Sequence, residues 1–152
     1  KTIEPDENYI LPIGKACKVI EAEEKHEKSG ESLVIITYGR GVYWSLEASK
    51  SFAGKIEIVD LRTLSPLDED QILKSVKKHG KSLIVTEEPS SASFSLGIAG
   101  FIQENCFEFL DAPVKIIGSE NTPAIPLNEN LEFTYLPNAS KVQKAISTLL
   151  EY

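Results

Sequence analysis

Two adjacent carboxylates follow an apolar segment in the middle of this chain. Glu87 and Glu88 come directly after the apolar run at residues 82–86. Paired carboxylates of this kind can serve as a general acid and a general base. Adjacent residues of a strand point to opposite faces of a sheet, however, which makes joint chemistry by this pair unfavourable. A structural role for at least one of them is therefore favoured, either in capping a helix or in pairing with Arg62.

A cluster of serines lies just beyond this pair, and a nucleophilic serine needs a base within hydrogen-bond reach. The chain has two histidines, His26 and His79. His26 lies in a charged segment, and His79 lies where a helix should end, a position at which a cation favours the helix dipole. Neither spacing predicts a catalytic triad. Helix capping and loop formation are therefore predicted for Ser90, Ser91, Ser93 and Ser95.

Two glycines after an earlier apolar run match the start of a dinucleotide-binding loop. Gly39 and Gly41 supply the first two positions of a G-x-G-x-x-G motif, but Trp44 stands at the third. An indole prevents the close approach between helix and strand that the third glycine allows. A tight turn at the start of a helix is predicted instead.

The segment IVDLRTLSPLD at residues 58–68 combines an apolar strand, a turn and a helix start. Asp60 and Arg62 are predicted to end the strand, and the Ser-Pro pair at residues 65–66 turns the chain. Asp68 and Gln71 have the spacing of a capping box, in which the first residue caps the helix and the second reaches back. Cys17 and Cys106 lack metal-binding spacing, and buried free thiols are predicted for them. On the residues alone, the chain is a non-catalytic α/β module.

The positions of apolar runs predict the elements that carry these residues. Continuous apolar, β-branched runs are typical of strands buried on both faces, and they alternate here with segments of helical periodicity. Such alternation favours right-handed crossovers and parallel strands. We expect a three-layer α/β/α sandwich with a five-stranded, mostly parallel sheet. Strands are predicted at residues 16–20, 33–38, 56–59, 82–86 and 114–117, and helices at 41–52, 68–78, 94–106 and after Asn138.

The connections are predicted to be irregular. The charged residues 21–31 favour a solvated turn, which leaves the first strand as an antiparallel strand at the edge of the sheet. Residues 118–137 are rich in proline and are predicted to lack regular structure. Residues 1–14 are interpreted as a linker from an upstream domain, and residues 15–152 as the domain itself. Because the sequence starts at Lys1 and contains no methionine, we expect it to be part of a longer protein.

Charge and hydropathy exclude two classes of partner. The formal net charge of −7 argues against nucleic-acid binding, which requires a basic surface. No apolar run approaches the length that spans a membrane. A basic protein partner remains compatible with this charge.

Several motifs occur together in an order that is typical of one enzyme family. The chain resembles the C-terminal domain of the transketolase-like thiamine enzymes. It is most similar to the beta subunit of the decarboxylating component of 2-oxoacid dehydrogenase complexes, of the pyruvate and branched-chain 2-oxoisovalerate types. The resemblance covers roughly residues 10–152. Its motifs are LPIGKA at residues 11–16, VDLRTLSPLD at 59–68, IVTEE at 84–88, FLDAP at 109–113, TPAIP at 122–126 and LP at 136–137.

The resemblance implies that the chemistry takes place elsewhere in a parent enzyme. That enzyme is an acyl-transferring oxidoreductase that decarboxylates a 2-oxoacid and passes the acyl group to a lipoyl arm. Thiamine diphosphate and magnesium lie between two other domain types, so no catalytic, cofactor-binding or metal-binding residue is expected here, and the fragment alone should be inactive. The parent should be cytoplasmic in a bacterium, or in the mitochondrial matrix of a eukaryote.

The resemblance also implies two kinds of contact. The domain should bind other domains or subunits of the parent, including dimer contacts, and dock the subunit-binding domain of the dihydrolipoyl acyltransferase. Asp111 and the terminal carboxylate of Tyr152 occupy the docking positions, although Asp111 could instead cap a turn before Pro113. Two alternatives remain open, namely the C-terminal domain of a transketolase or deoxyxylulose-phosphate synthase, and a free-standing protein-binding module.

Overall fold

The computed structural model describes residues 8–152, so the first half of the predicted linker, residues 1–7, lies outside the described residues. Residues 8–16 form neither helix nor strand. Their end is attached to the 58–68 segment, because Gly14 N–H donates to Thr63 Oγ1 at 3.0 Å and Ala16 N–H donates to Asp68 Oδ2 at 2.9 Å.

Five strands form one mixed sheet within the described residues. Their order is β1-β3-β2-β4-β5, and β2 to β5 pair in parallel. β1 pairs antiparallel with β3 at one edge, which confirms the predicted edge strand. The strands are β1 (Cys17–Ile20), β2 (Leu33–Thr37), β3 (Ile56–Asp60), β4 (Ser82–Pro89) and β5 (Lys115–Ser119).

The helices include two that the sequence analysis did not predict. The solvated turn contains a short helix with a Glu24–Lys28 ion pair at 2.6 Å, one turn apart. The irregular segment contains another, because Asn128 accepts hydrogen bonds from the backbone of Asn130 and Leu131 and so starts a helix. The helices are α1 (Glu24–Lys28), α2 (Arg40–Ser49), α3 (Glu69–His79), α4 (Phe94–Cys106, followed by a 3₁₀ turn at Phe107–Phe109), α5 (Glu129–Tyr135) and α6 (Ala139–Leu150).

Helices cover both faces of the sheet, as predicted. Along β2, Leu33 and Ile35 pack with α2 and α6, whereas Val34 and Ile36 pack with α3 and α4. All four side chains are fully buried. The continuous apolar run therefore follows from burial on both faces, because alternate residues enter opposite cores. The three-layer α/β/α sandwich is confirmed.

Candidate functional site

Glu88 ends β4 as a capping residue for α4. Its carboxylate accepts hydrogen bonds from the backbone of Phe94 at 3.2 Å and Ser95 at 2.9 Å, and from the Tyr38 hydroxyl at 2.8 Å. Burial alone would raise the pKa of Glu88, but these hydrogen bonds lower it below its usual value. Burial and the contact with Glu88 raise the pKa of Tyr38. The carboxylate is thus fully used in structure, which confirms the predicted capping role.

The alternative role, a pairing with Arg62, is not found for either glutamate. Glu87 is half-exposed and lies 3.9 Å from Arg40, and Arg62 lies beside Asp60 with 4.0 Å between Nε and Oδ2. Arg62 follows β3, and β2 lies between β3 and the strand that carries Glu87. Ser93 accepts a hydrogen bond from the backbone of Leu96, as the capping prediction requires.

The glycines before α2 form a tight turn, and a dinucleotide loop is not needed to explain them. Gly39 has a φ of 57°, which favours glycine. A Cβ on Gly41 would lie 2.3 Å from Thr37 Oγ1 and 2.7 Å from the Val85 carbonyl oxygen. Gly41 therefore allows α2 to approach the sheet closely, which confirms the predicted turn.

Only one of the two hydrogen bonds of the predicted capping box forms at the start of α3. Asp68 Oδ1 accepts from the backbone of Gln71 at 3.3 Å, as predicted. The Gln71 side chain does not reach back, which corrects the prediction. It turns along the helix and donates to Ser75 Oγ at 2.8 Å, and Ser75 in turn belongs to a buried polar cluster.

That cluster contains a serine, a histidine and a carboxylate in line. Ser32 Oγ lies 2.7 Å from His79 Nδ1, and His79 Nε2 lies 3.3 Å from Glu57 Oε2. The order of groups matches that of a hydrolytic triad. The three residues are only 1%, 3% and 1% exposed, however, so no substrate can reach the hydroxyl. The second contact is an ion-pair distance without good hydrogen-bond geometry.

The cluster links β3, α3 and α1 through hydrogen bonds and ion pairs. Glu57 on β3 also accepts hydrogen bonds from Ser75 and from Lys78 Nζ at 3.1 Å, and Lys78 pairs with Glu27 of α1 at 2.6 Å. Burial by itself would raise the pKa of Glu57, but His79, Ser75 and Lys78 lower it to about 2. Glu57 is therefore held as a buried anion that joins β3 to α3.

Sequence reasoning missed this cluster for an identifiable reason. His79 does end α3, but it lies in the interior beside Glu57, whereas the prediction treated it as a cation at the helix end. Glu57 stands inside the apolar run of β3 and was counted as part of a strand. A charged residue in such a run is a usable signal, because buried charges are almost always paired.

Asp111 lies in a turn at the end of the sheet where the parallel strands begin. Its N–H donates to the Gly80 carbonyl oxygen at 2.8 Å, and its side chain is exposed. The carboxylate makes no hydrogen bond or ion pair with any residue from 8 to 152. A Cβ at Gly80 would lie 2.2 Å from Asp111 Oδ2, so glycine leaves room for this carboxylate.

Tyr152 lies at the same end of the domain as the turn that carries Asp111. Its side chain is 66% exposed and borders a shallow hollow of about 200 Å³. The hollow is also lined by Pro113, Val114 and Lys115, which directly follow the turn, and by Thr148 and Leu149 of α6. The fold thus brings the two residues singled out by the resemblance to one end of the domain.

Four large apolar side chains are exposed in the segment that was predicted to be irregular. Ile125 is 67% exposed, Leu127 is fully exposed, Leu131 is 59% exposed and Phe133 is 70% exposed. We call these four residues the apolar segment surface. The prediction of an unstructured loop concealed them, although apolar residues among prolines could have indicated a contact surface.

Residues 8–152 contain neither a candidate metal cluster nor a candidate membrane-spanning helix. No group of three or more histidine, cysteine or acidic residues there could hold a metal ion. None of the helices in this part of the chain has the length and apolarity needed to cross a bilayer. Both cysteines are free thiols. Cys106 is buried, as predicted, and burial raises the pKa of its thiol. Cys17 is only partly buried, so the prediction of a buried thiol is wrong for that residue.

Known proteins are similar to this chain in sequence and in fold. Residues 22–142 match the family model for the transketolase C-terminal domain. The 2-oxoisovalerate dehydrogenase subunit beta of Bacillus subtilis is 36% identical over 97% of this chain and 44% of its own length. The pyruvate dehydrogenase E1 component subunit beta of Rhizobium meliloti is 30% identical over 94% of this chain and 30% of its own length. The chain thus spans less than half the length of these relatives.

The fold is also found in a solved structure. A split gene transketolase, in the form of an inactive beta4 tetramer, superposes with a TM-score of 0.73 over 96% of this chain and 45% of the other. The identity of 17% limits this likeness to the fold. Because the family model matches most of the sequence and the resemblance in motifs agrees with it, the chain belongs to the transketolase C-terminal domain family.

Proposed function

We propose that this chain is the C-terminal domain of the beta subunit of a thiamine-diphosphate-dependent 2-oxoacid dehydrogenase, and that it serves assembly without taking part in the chemistry. One observation carries this proposal. The groups that could react are engaged in structural contacts, since Glu88 caps α4 and the Ser32–His79–Glu57 cluster is buried. The surface instead offers exposed apolar side chains and an unpaired carboxylate.

The relatives support the dehydrogenase family as the parent. Both are named as beta subunits of dehydrogenases, one for 2-oxoisovalerate and one for pyruvate. The transketolase structure, at 17% identity, supports the fold without supporting that activity. On this proposal the parent oxidatively decarboxylates pyruvate or a branched-chain 2-oxoacid. Thiamine diphosphate and magnesium would be held by the parts of the relatives that this chain does not match. The parent would work in the bacterial cytoplasm, or in the mitochondrial matrix of a eukaryote.

The apolar segment surface is proposed to contact another subunit of the parent. Exposed apolar side chains in one short segment mark protein interfaces, since leaving them in water is unfavourable. Phe133 also borders a hollow next to Trp44 and Arg40 of α2, so a partner that covers it would extend onto that helix. This surface would supply the subunit contacts of the assembly role.

Docking of the acyltransferase is proposed at the other end of the domain. The free carboxylate of Asp111 and the exposed Tyr152 would face the basic subunit-binding domain of the acyltransferase. Complementary charge steers such encounters and makes them sensitive to salt. Two copies of the site, related by the two-fold axis of a dimer, would share one partner.

The assembly role can be tested in the reconstituted parent enzyme. Leu131→Ser combined with Phe133→Ser removes two members of the apolar segment surface. Phe107→Ser is the control, because Phe107 is 69% exposed but lies beyond α4 at another part of the surface. Sedimentation velocity should show that the double variant has a subunit dissociation constant about ten-fold higher or more, whereas the control assembles normally. Normal assembly of the double variant would overturn the proposed subunit contact.

A further inference from the structure

The two edges of the sheet differ in how well they resist a further strand. β1 forms one edge, and its register with β3 is irregular between Lys18 and Ile20. Such irregularity twists an edge and discourages pairing. β5 forms the other edge and, among residues 8–152, pairs only with β4. The register of this pair also shifts, between Val85 and Pro89, but the extra residues belong to β4 and not to the edge strand. Half of its backbone N–H and C=O groups therefore point away from the sheet.

β5 is also incompletely covered on both faces. Ile117 packs against the core beneath α2 and α6, and Ile116 packs against the core beneath α3 and α4. Both side chains remain only partly buried, whereas the corresponding residues of β4, Ile84 and Val85, are fully buried. One further strand beside β5 would complete both layers.

A groove of about 400 Å³ runs between β5 and α6, and it carries positive charge. Three lysines line it, namely Lys115, Lys141 and Lys144. Lys141 is already engaged with Glu120 at 3.5 Å and with the Thr134 carbonyl oxygen at 2.7 Å. Lys115 and Lys144 make no ion pair or hydrogen bond through their ammonium groups with residues 8–152. The groove is thus locally positive, although the chain as a whole has a net charge of −7.

We infer that the β5 edge and the groove beside it bind an extended acidic segment of a partner protein, which adds to the sheet as a sixth strand. Main-chain hydrogen bonds to β5 would give the affinity, and carboxylates beside Lys115 and Lys144 would select the segment. A second copy of this chain fits less well, because each copy would bring its own lysines to the seam. This site is separate from the apolar segment surface and does not depend on the identity of the parent enzyme.

The test uses the full chain and a short fluorescent peptide of alternating glutamate and valine. Anisotropy should report binding that weakens as salt rises. The double variant Lys115→Glu, Lys144→Glu should weaken binding about five-fold or more. The control Lys28→Glu, Lys74→Glu makes the same change of charge on α1 and α3, and it should leave binding within two-fold. A peptide of repeated glutamate–proline–proline units should fail to bind, because consecutive prolines remove N–H donors from both edges of an extended segment.

Several results would overturn the inference. They are no binding by the glutamate–valine peptide, equal binding by the proline peptide, and equal weakening by the two double variants. Equal binding by a lysine–valine peptide would remove the proposed charge selection. A concentration-dependent dimer that Lys115→Glu disrupts, seen by sedimentation, would assign the edge to a second copy and so contradict the acidic partner.

Discussion

Replacing Glu57 by glutamine removes a buried negative charge and nearly preserves the size of the side chain. The carboxylate is 1% exposed and faces Ser75, Lys78 and His79. Its loss leaves Ser75 and His79 without this anion, whereas Lys78 keeps its pairing with Glu27. The pKa of Glu57 falls from its ordinary value of 4.5 to about 2. At about 1.4 kcal/mol per pKa unit, the folded environment favours the charged form by roughly 3 kcal/mol.

A second route gives the same magnitude. Removal of one partner from a buried ion pair costs about 3–5 kcal/mol. We therefore expect Glu57→Gln to lower the free energy of unfolding by about 3 kcal/mol, and the Tm by about 6–12 °C for a chain of this size. The control is Glu47→Gln, because Glu47 is exposed and pairs with Lys50 at the surface. A surface pair contributes about 1 kcal/mol or less.

The dependence on pH follows from the lowered pKa. A carboxyl group whose pKa is lower in the folded state stabilises the fold above its unfolded pKa, and the effect disappears as pH falls through the folded pKa. For Glu57 that window runs from 4.5 down to about 2. The difference between the parent chain and Glu57→Gln should be constant from pH 7 to pH 5 and fall to roughly half at pH 3.

Urea unfolding followed by circular dichroism at these three pH values measures the effect. The reasoning is refuted if Glu57→Gln costs no more than Glu47→Gln. It is also refuted if the difference between the parent chain and Glu57→Gln is the same at pH 3 as at pH 7.

Three further predictions concern packing, capping and thiol reactivity. Gly41→Ala should lower the free energy of unfolding by about 1–3 kcal/mol, because its Cβ would overlap Thr37 and Val85. Gly97→Ala, at a helical site with nothing within 4 Å, should raise it by about 0.5–1 kcal/mol, and urea titration of both variants checks the pair. Asn138→Ala should cost about 1 kcal/mol, because Asn138 Oδ1 caps α6 through Lys141 N–H, and unchanged thermal unfolding would contradict this. A chromogenic disulfide should label Cys17 quickly and the fully buried Cys106 slowly, so Cys17→Ala should remove the fast phase.

The parts of the fold that could be predicted from the sequence are those set by apolar periodicity or by contacts between residues close in the chain. The run at residues 33–37 alternates between two cores, which is why it has no polar face and indicated a strand buried on both sides. Asp68, Ser93 and Asn138 cap the helices at the predicted positions, because each side chain accepts a hydrogen bond from the backbone N–H three residues ahead.

The features that escaped prediction depend on contacts between distant segments. Ser32 lies just before β2, Glu57 on β3 and His79 at the end of α3, and the parallel pairing of β2 with β3 and the packing of α3 bring them together. α5 escaped because prolines dominate its surroundings, although Asn128 supplies an ordinary cap. The nearness of the Asp111 turn to Tyr152 likewise follows from the packing of α6 beside β5.

Docking of the acyltransferase by the parent enzyme tests the assembly role most directly. The measurement is a calorimetric titration of the parent dehydrogenase with the subunit-binding domain at fixed salt, repeated for Asp111→Ala and for the control Asp70→Ala. Asp70 is also an exposed aspartate, but it lies in the first turn of α3. We expect Asp111→Ala to raise the Kd about ten-fold or more, with the rate of decarboxylation unchanged and the control binding normally. Equal affinity of Asp111→Ala and the parent would contradict the account.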